Sequence, residues 1–109
     1  MTTEEFVQGF YREKQDLLQF YLDRLPSADD TAQQRIVMRD GQQLTVQELL
    51  ENVLDNVFYA TLLGLEGSAS IGRTQTRYEL RDPEGNSLNN GDIGGYAWQY
   101  FQNGGEEPE

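Results

Sequence analysis

The segment 45–65 constrains the fold more than any other part of this 109-residue chain. Its apolar residues recur at intervals of three and four, the spacing of one face of an α-helix. They are Val46, Leu49, Leu50, Val53, Leu54, Val57, Phe58 and Leu62. Thr45 and Glu48 have the spacing of a capping box, in which each side chain binds the backbone N–H of the other residue. We therefore predict a long central helix that starts after Thr45 and ends near 63–66, before Gly67.

The two halves of this helix differ in polarity. Glu48, Glu51 and Asp55 lie on one face of the first half, at positions i, i+3 and i+7. Beyond Phe58 polar residues become scarce, and a helix that is apolar on all sides is normally buried. We expect the first half to be partly exposed and the second half, residues 57–65, to lie in the core.

Two further helices are predicted, one at each end of the chain. Thr2 and Glu5 form a second capping box ahead of an apolar stripe that Pro26 ends. Near the C-terminus, residues 93–102 read as a helix that Asp92 could cap. The pair of glycines at 94–95 weakens this interpretation, so a strand remains the alternative.

Short strands complete the pattern. Residues 35–44 read as a hairpin around Asp40-Gly41 that leads directly into the central helix. Residues 73–81 alternate between polar and less polar side chains, which predicts a half-buried strand. The chain is therefore expected to be an α+β protein: one small domain, residues 1–105, with two long helices and a C-terminal helix packed with a short antiparallel sheet. Residues 106–109 are predicted to be an acidic flexible tail.

The charge balance narrows the choice of partner. Nineteen Asp and Glu residues against eight Lys and Arg residues give a net charge of −11. This charge disfavours direct binding to nucleic acid or to an anionic membrane, and it favours a basic protein partner. Solubility alone would explain it equally well. The N-terminus is acidic and no apolar run reaches the length of a membrane span, so we expect a cytoplasmic protein.

The chain contains neither histidine nor cysteine, which excludes thiolate and imidazole chemistry. We accordingly predict no catalytic residues, no cofactor and no metal site. The carboxylates at 48, 51 and 55 could serve as metal ligands or as a general acid/base pair, but no second carboxylate motif completes a cage for a hard cation. A solvated face or an acidic protein-binding ridge explains them better.

Aromatic residues gather at the C-terminal end of the chain, where Tyr96, Trp98, Tyr100 and Phe101 fall within six positions. On a helix, Trp98 points away from the expected buried stripe. Tryptophan and tyrosine are enriched in binding hot spots, so we predict Trp98 and Tyr100 as protein-binding residues beside the ridge Glu48, Glu51 and Asp55. These aromatics could instead belong to the core, or serve a homodimer.

One pattern resembles a known class of protein. It comprises Asp40-Gly41, Thr45, Glu48-Leu49-Leu50, Phe58-Tyr59, 63–67 and 78–85. It resembles the small bacterial immunity-type proteins encoded beside toxins. The resemblance implies a non-enzymatic inhibitor that neutralises a more basic protein, such as a cognate toxin, by stoichiometric binding. The alternatives are a DNA mimic that inhibits a nucleic-acid-binding protein and, less favoured, a small enzyme or ligand carrier.

Overall fold

The fold is described by a computed structural model, which covers residues 1–26 and 30–103. Its elements in chain order are α1 (Thr3–Leu22), a short 3-10 helix (Thr31–Gln33), β1 (Arg35–Val37), β2 (Gln43–Thr45), α2 (Val46–Glu66) and α3 (Ile93–Phe101). The predicted α+β class, with three helices and a two-stranded antiparallel sheet in one small domain, is confirmed. The predicted domain end at 105 and the tail 106–109 lie outside the described residues.

Both predicted capping boxes form. The Thr2 hydroxyl accepts from Glu5 N at 3.1 Å, and the Glu5 carboxylate accepts from Thr2 N at 2.9 Å. Thr45 and Glu48 make the same pair of bonds, both at 3.0 Å. These bonds satisfy N–H groups that have no partner within the helix, which is why the first residues of α1 and α2 could be predicted closely.

We expect Thr45→Ala to lower the free energy of unfolding by about 1 kcal/mol, because it removes one half of the box. The backbone N–H of Thr45 holds the pKa of Glu48 below its usual 4.5. A carboxyl group whose pKa is lowered by folding stabilises the folded protein at pH values above its unfolded-state pKa. This stabilisation is lost as the pH falls through the folded-state pKa. Urea titration at neutral pH measures this loss; because alanine keeps the backbone N–H that bonds Glu48, the stability due to that carboxylate should fall in acid for wild type and variant alike. Thr45→Ser, which keeps the acceptor, should behave as wild type; an equal loss in both variants would contradict the capping role.

The hairpin leads straight into α2, as predicted. Ile36 pairs with Leu44 in an antiparallel register, and Arg35 pairs with Thr45. At the turn, Gly41 has a φ of +88°, a backbone conformation that favours glycine. Because Thr45 both ends β2 and caps α2, the hairpin fixes where the central helix begins.

The C-terminus of α2 is set by two glycines with different roles. Gly67 ends the helix with a φ of +91°, and Ser68 N donates to Leu63 O at 3.1 Å across it. Gly64 lies within the helix, where a Cβ would overlap Cγ1 of the Ile71 side chain. Glycine weakens a helix, but a larger residue at position 64 would not fit, because the loop after α2 crosses the helix there.

The core is small and is shared by the three helices. Its buried residues are Val7, Tyr11, Leu62, Ile93, Ala97, Tyr100 and Phe101, with Phe6, Phe10, Phe58, Tyr59 and Tyr96 packed against them. The prediction that residues 57–65 are all core is wrong: Val57 is 53% exposed and Ala60 is also exposed. Only one side of this half is covered, because α1 and α3 both pack on the side that carries Phe58 and Leu62.

The strand predicted for 73–81 does not form. This segment makes only isolated bridges, between Ile71 and Thr74 and between Arg81 and Ser87. Among the described residues no neighbouring strand is available to it, since β1 and β2 pair only with each other. The segment is held instead by the side chain of Asn89, which accepts from Leu80 N at 3.1 Å.

The last helix is confirmed, but its cap is not the predicted one. Asp92 occupies the N-cap position and makes no side-chain capping bond. Glu66 at the end of α2 accepts from Gly94 N at 3.2 Å instead, placing a carboxylate at the positive end of the helix. A Cβ at Gly94 would lie 2.9 Å from Glu66 Oε2, so this glycine makes room for the cap that joins the two helices.

Candidate protein-binding surface

The three acidic residues predicted as a binding ridge have different environments. Glu48 is exposed, and its carboxylate is engaged in the α2 capping box. Glu51 is half-buried and accepts from Gln47 Nε2 at 3.2 Å. Asp55 is also half-buried. All three lie on one side of α2. Glu48 is held in the capping box and Asp55 pairs with a cation, whereas Glu51 is partly exposed and, among the described residues, has neither kind of bond.

Asp55 forms an ion pair with α1. Its Oδ1 lies 2.7 Å from Nζ of Lys14, and the two side chains are 22% and 8% exposed. That oxygen is buried and has no hydrogen-bond partner among the described residues other than this ammonium. Lys14 also lies over the ring of Tyr11, 5.4 Å from its centroid. Asp55 is therefore an internal partner that neutralises Lys14, rather than a free exposed charge.

A polar cleft of about 460 Å³ opens around this pair, between the C-terminal part of α1 and the first half of α2. Its lining is mainly polar, with a smaller apolar part that includes Leu18 and Phe101. The lining residues are Tyr11, Lys14, Gln15, Leu18, Glu51, Asn52, Asp55, Asn56, Phe101 and Gln102. Such a lining suits an inserted polar or cationic side chain better than an apolar ligand.

The two predicted C-terminal binding residues separate. Trp98 is 50% exposed on the outer side of α3. Tyr100 is only 3% exposed; its hydroxyl donates to Glu4 at 3.0 Å and accepts from Gln8 Nε2 at 2.9 Å. The prediction of Tyr100 as a binding residue is therefore wrong, because its side chain faces α1 and its hydroxyl is hydrogen-bonded there. A buried aromatic of this kind contributes to the fold and offers no exposed anchor.

Trp98 lies one helical turn from the polar cleft, and its backbone carbonyl accepts from the N–H of the cleft residue Gln102. Gln102, which lines the cleft, follows Trp98 by four positions, so both lie on the same side of α3. We define the cleft surface as Glu51, Asn52, Asn56, Gln102 and Trp98. It joins two regions that are more than forty positions apart in the sequence.

Two residues that matter here were not predicted. Lys14 interrupts the apolar stripe of α1 in the sequence, and a cation on a buried stripe signals an acidic partner on the facing helix. Asn89 gave no such signal, since it stands in a run of turn-forming residues. Both act through contacts with distant parts of the chain.

Within 1–26 and 30–103, no group of three or more acidic side chains could hold a metal ion. No helix over those same residues is both long and apolar enough to cross a membrane.

No protein-family model, curated protein or solved structure matches this chain. The function must therefore be inferred from the surface itself.

Proposed function

We propose that the chain is a non-enzymatic binding protein, an immunity-type factor that neutralises a more basic protein, such as a toxin, by stoichiometric binding at the cleft surface. The observation that carries the proposal is the half-exposed Trp98, one helical turn before Gln102 at the edge of a polar cleft that also carries Glu51, in a chain with a net charge of −11. A large aromatic residue next to polar, partly buried groups is the composition of a binding hot spot.

The net charge and the cleft surface act at different stages of binding. The charge accelerates the encounter with a cationic partner and disfavours anionic competitors. Glu51 then offers a carboxylate to an arginine or lysine of the partner, while Asn52, Asn56 and Gln102 provide neutral donors and acceptors. Burial of the Trp98 indole supplies the apolar part of the affinity, since a large aromatic side chain buries about 150–250 Å².

We expect Trp98→Ala to weaken the complex by about 2 kcal/mol, or roughly 30-fold, because it removes the apolar anchor. The partner would first be captured from cells of the source organism with the full chain, identified, and titrated by calorimetry. Tyr21→Ala is the matched control, since Tyr21 is also 50% exposed but lies on α1, outside the cleft surface. Equal affinities for Trp98→Ala and wild type would remove Trp98 from the interface.

The electrostatic part of the proposal is tested by salt. Affinity for a basic partner should fall between about 50 mM and 500 mM salt, mainly through a slower association rate. Glu51→Gln should reduce this salt dependence. If the captured partner is not basic, or if its affinity does not respond to salt, the neutralising role is wrong. If duplex DNA competes for the partner, the DNA-mimic alternative is supported instead.

A further inference from the structure

The charge of the polar cleft between α1 and α2 favours a ligand with one positive charge. The lining contains one cation, Lys14, and two carboxylates, Glu51 and Asp55. Lys14 and Asp55 lie 2.7 Å apart and compensate each other, so Glu51 leaves the lining with a charge of −1. A monocation in the cleft would make it neutral, whereas an anion would be repelled by Glu51.

The hydrogen-bond acceptors that remain available are distributed around the cleft. Glu51 accepts from Gln47 through Oε1, which leaves its Oε2 available. Gln15 on α1 donates its amide N–H to the hydroxyl of Tyr11 at 2.8 Å, which leaves its carbonyl oxygen available. Three further carboxamides line the cleft, are exposed and have no side-chain hydrogen bond to a described residue: Asn52, Asn56 and Gln102. The acceptors therefore come from α1, from α2 and from the residue that follows α3.

A guanidinium group matches acceptors in this arrangement better than an ammonium group. It is planar and carries five N–H donors in fixed directions, so one group can bond to a carboxylate and to several carboxamide oxygens at once. The ammonium of lysine has three donors at one compact, strongly hydrated point. It would lose more hydration on entering a partly enclosed cleft that offers a single uncompensated carboxylate. The apolar part of the lining, Leu18 and Phe101, suits the methylene stem of the side chain.

We infer that the side chain that enters the cleft is an arginine of the basic partner, and that the cleft discriminates against lysine. The inference rests on the proposed function, and it adds the identity of the partner residue. Glu51 accepts the charge-assisted hydrogen bond, and the cleft carboxamides accept from the remaining guanidinium N–H groups. The pair formed by Lys14 and Asp55 joins the two walls of the cleft and makes no bond to the arginine.

An NMR titration of the full chain with two small probes, N-acetyl-arginine amide and N-acetyl-lysine amide, tests the inference. Both probes are monocations, so at constant ionic strength their net charge does not distinguish them. We expect the arginine probe to bind with a millimolar dissociation constant and to shift the side-chain amide signals of Asn52, Asn56 and Gln102. The lysine probe should bind at least about fivefold more weakly.

A pair of variants locates the binding site. Glu51→Gln should weaken binding of the arginine probe at least about fivefold, because it replaces the charge-assisted bond with a neutral one. Glu13→Gln is the matched control, since Glu13 is an exposed acidic residue of α1 outside the cleft lining. It changes the net charge by the same amount and should leave the affinity for the arginine probe unchanged.

Three results would each overturn the inference: equal affinities for the two probes, no shift of the cleft amide signals, or an affinity that Glu51→Gln leaves unchanged. The probes require no partner protein, so these results leave the Trp98-dependent capture of a basic protein intact. Capture of a partner that is not basic would instead overturn the proposed function, whichever probe binds more tightly.

Discussion

Asn89→Ala is expected to lower the free energy of unfolding by about 3 kcal/mol, among the largest effects of any single substitution in this chain. Asn89 is buried although it is polar. Its amide donates to Leu65 O at 3.1 Å and to Tyr78 O, and its carbonyl accepts from Leu80 N at 3.1 Å. Alanine would leave three backbone groups without this partner, and each unsatisfied buried group costs about 1–3 kcal/mol.

The consequence of losing Asn89 extends beyond its own position. Its three bonds attach the segment 78–80, which has no strand partner, to the last turn of α2. Leu88, beside it, is also buried and its N–H donates to Leu80 O at 2.9 Å. We therefore expect amide exchange to accelerate first across residues 73–88 in the variant, while α1 and the first half of α2 keep their protection.

Asn90→Ala is the matched control for this prediction. Asn90 is the neighbouring asparagine, but it is exposed, and its side chain accepts from Thr3 Oγ1 at 3.3 Å. Urea titration should show a loss of less than about 1 kcal/mol for Asn90→Ala. Comparable losses for the two variants, or an Asn89→Ala variant as stable as wild type, would contradict the role of Asn89 as the link between the loop and α2.

Asn89 also explains why part of the fold could not be predicted. The alternation at 73–81 is a real period of two, but a strand needs a partner, and pairing depends on segments that are distant in sequence. One buried amide replaces that partner here. In the sequence it stands in Ser87-Leu88-Asn89-Asn90-Gly91, where asparagine next to glycine indicates a turn, and nothing in this context distinguishes a buried side chain from an exposed one.

The helices were predictable because their signals are local. The capping boxes at Thr2 and Thr45 and the stop at Gly67 each involve residues within a few positions of one another. The start of α3 was predicted for an incorrect reason, since the cap comes from Glu66, which is remote in sequence from Gly94. Local chemistry therefore located the elements, while the contacts between elements decided which side chains stayed available for binding.

The same distinction applies to the candidate binding residues. Helical spacing correctly put Glu48, Glu51 and Asp55 on one side of α2, but spacing says nothing about the residues that face them. Lys14 neutralises Asp55 from α1, and Tyr100 turns towards Glu4. Trp98 stays exposed because the core side of its short helix is already filled by Ile93, Ala97 and Phe101. Of the predicted residues, Glu51 and Trp98 are therefore the ones to test first for partner binding.

Lys14→Met should destabilise the protein by about 2–3 kcal/mol, because it leaves the Asp55 carboxylate partly buried without its cation. The methionine matches the lysine stem in volume, so the loss would not arise from a cavity. Replacing both members, in Lys14→Met/Asp55→Leu, should recover most of the stability, since an apolar pair carries no desolvation penalty. Urea titrations of the two single variants and the double variant give the coupling between the residues directly.

The outcome for the double variant also decides how Asp55 contributes to binding. Glu51→Gln is the matched single-charge control, because Glu51 bonds Gln47 and has no cation among its described partners; its stability should change by less than about 0.5 kcal/mol. If Lys14→Met were as stable as wild type, the ion pair would not hold α1 against α2, and Asp55 would be free to face a partner. If the double variant is stable and still captures the basic protein, Asp55 serves the fold, and the electrostatic contact with the partner depends on Glu51.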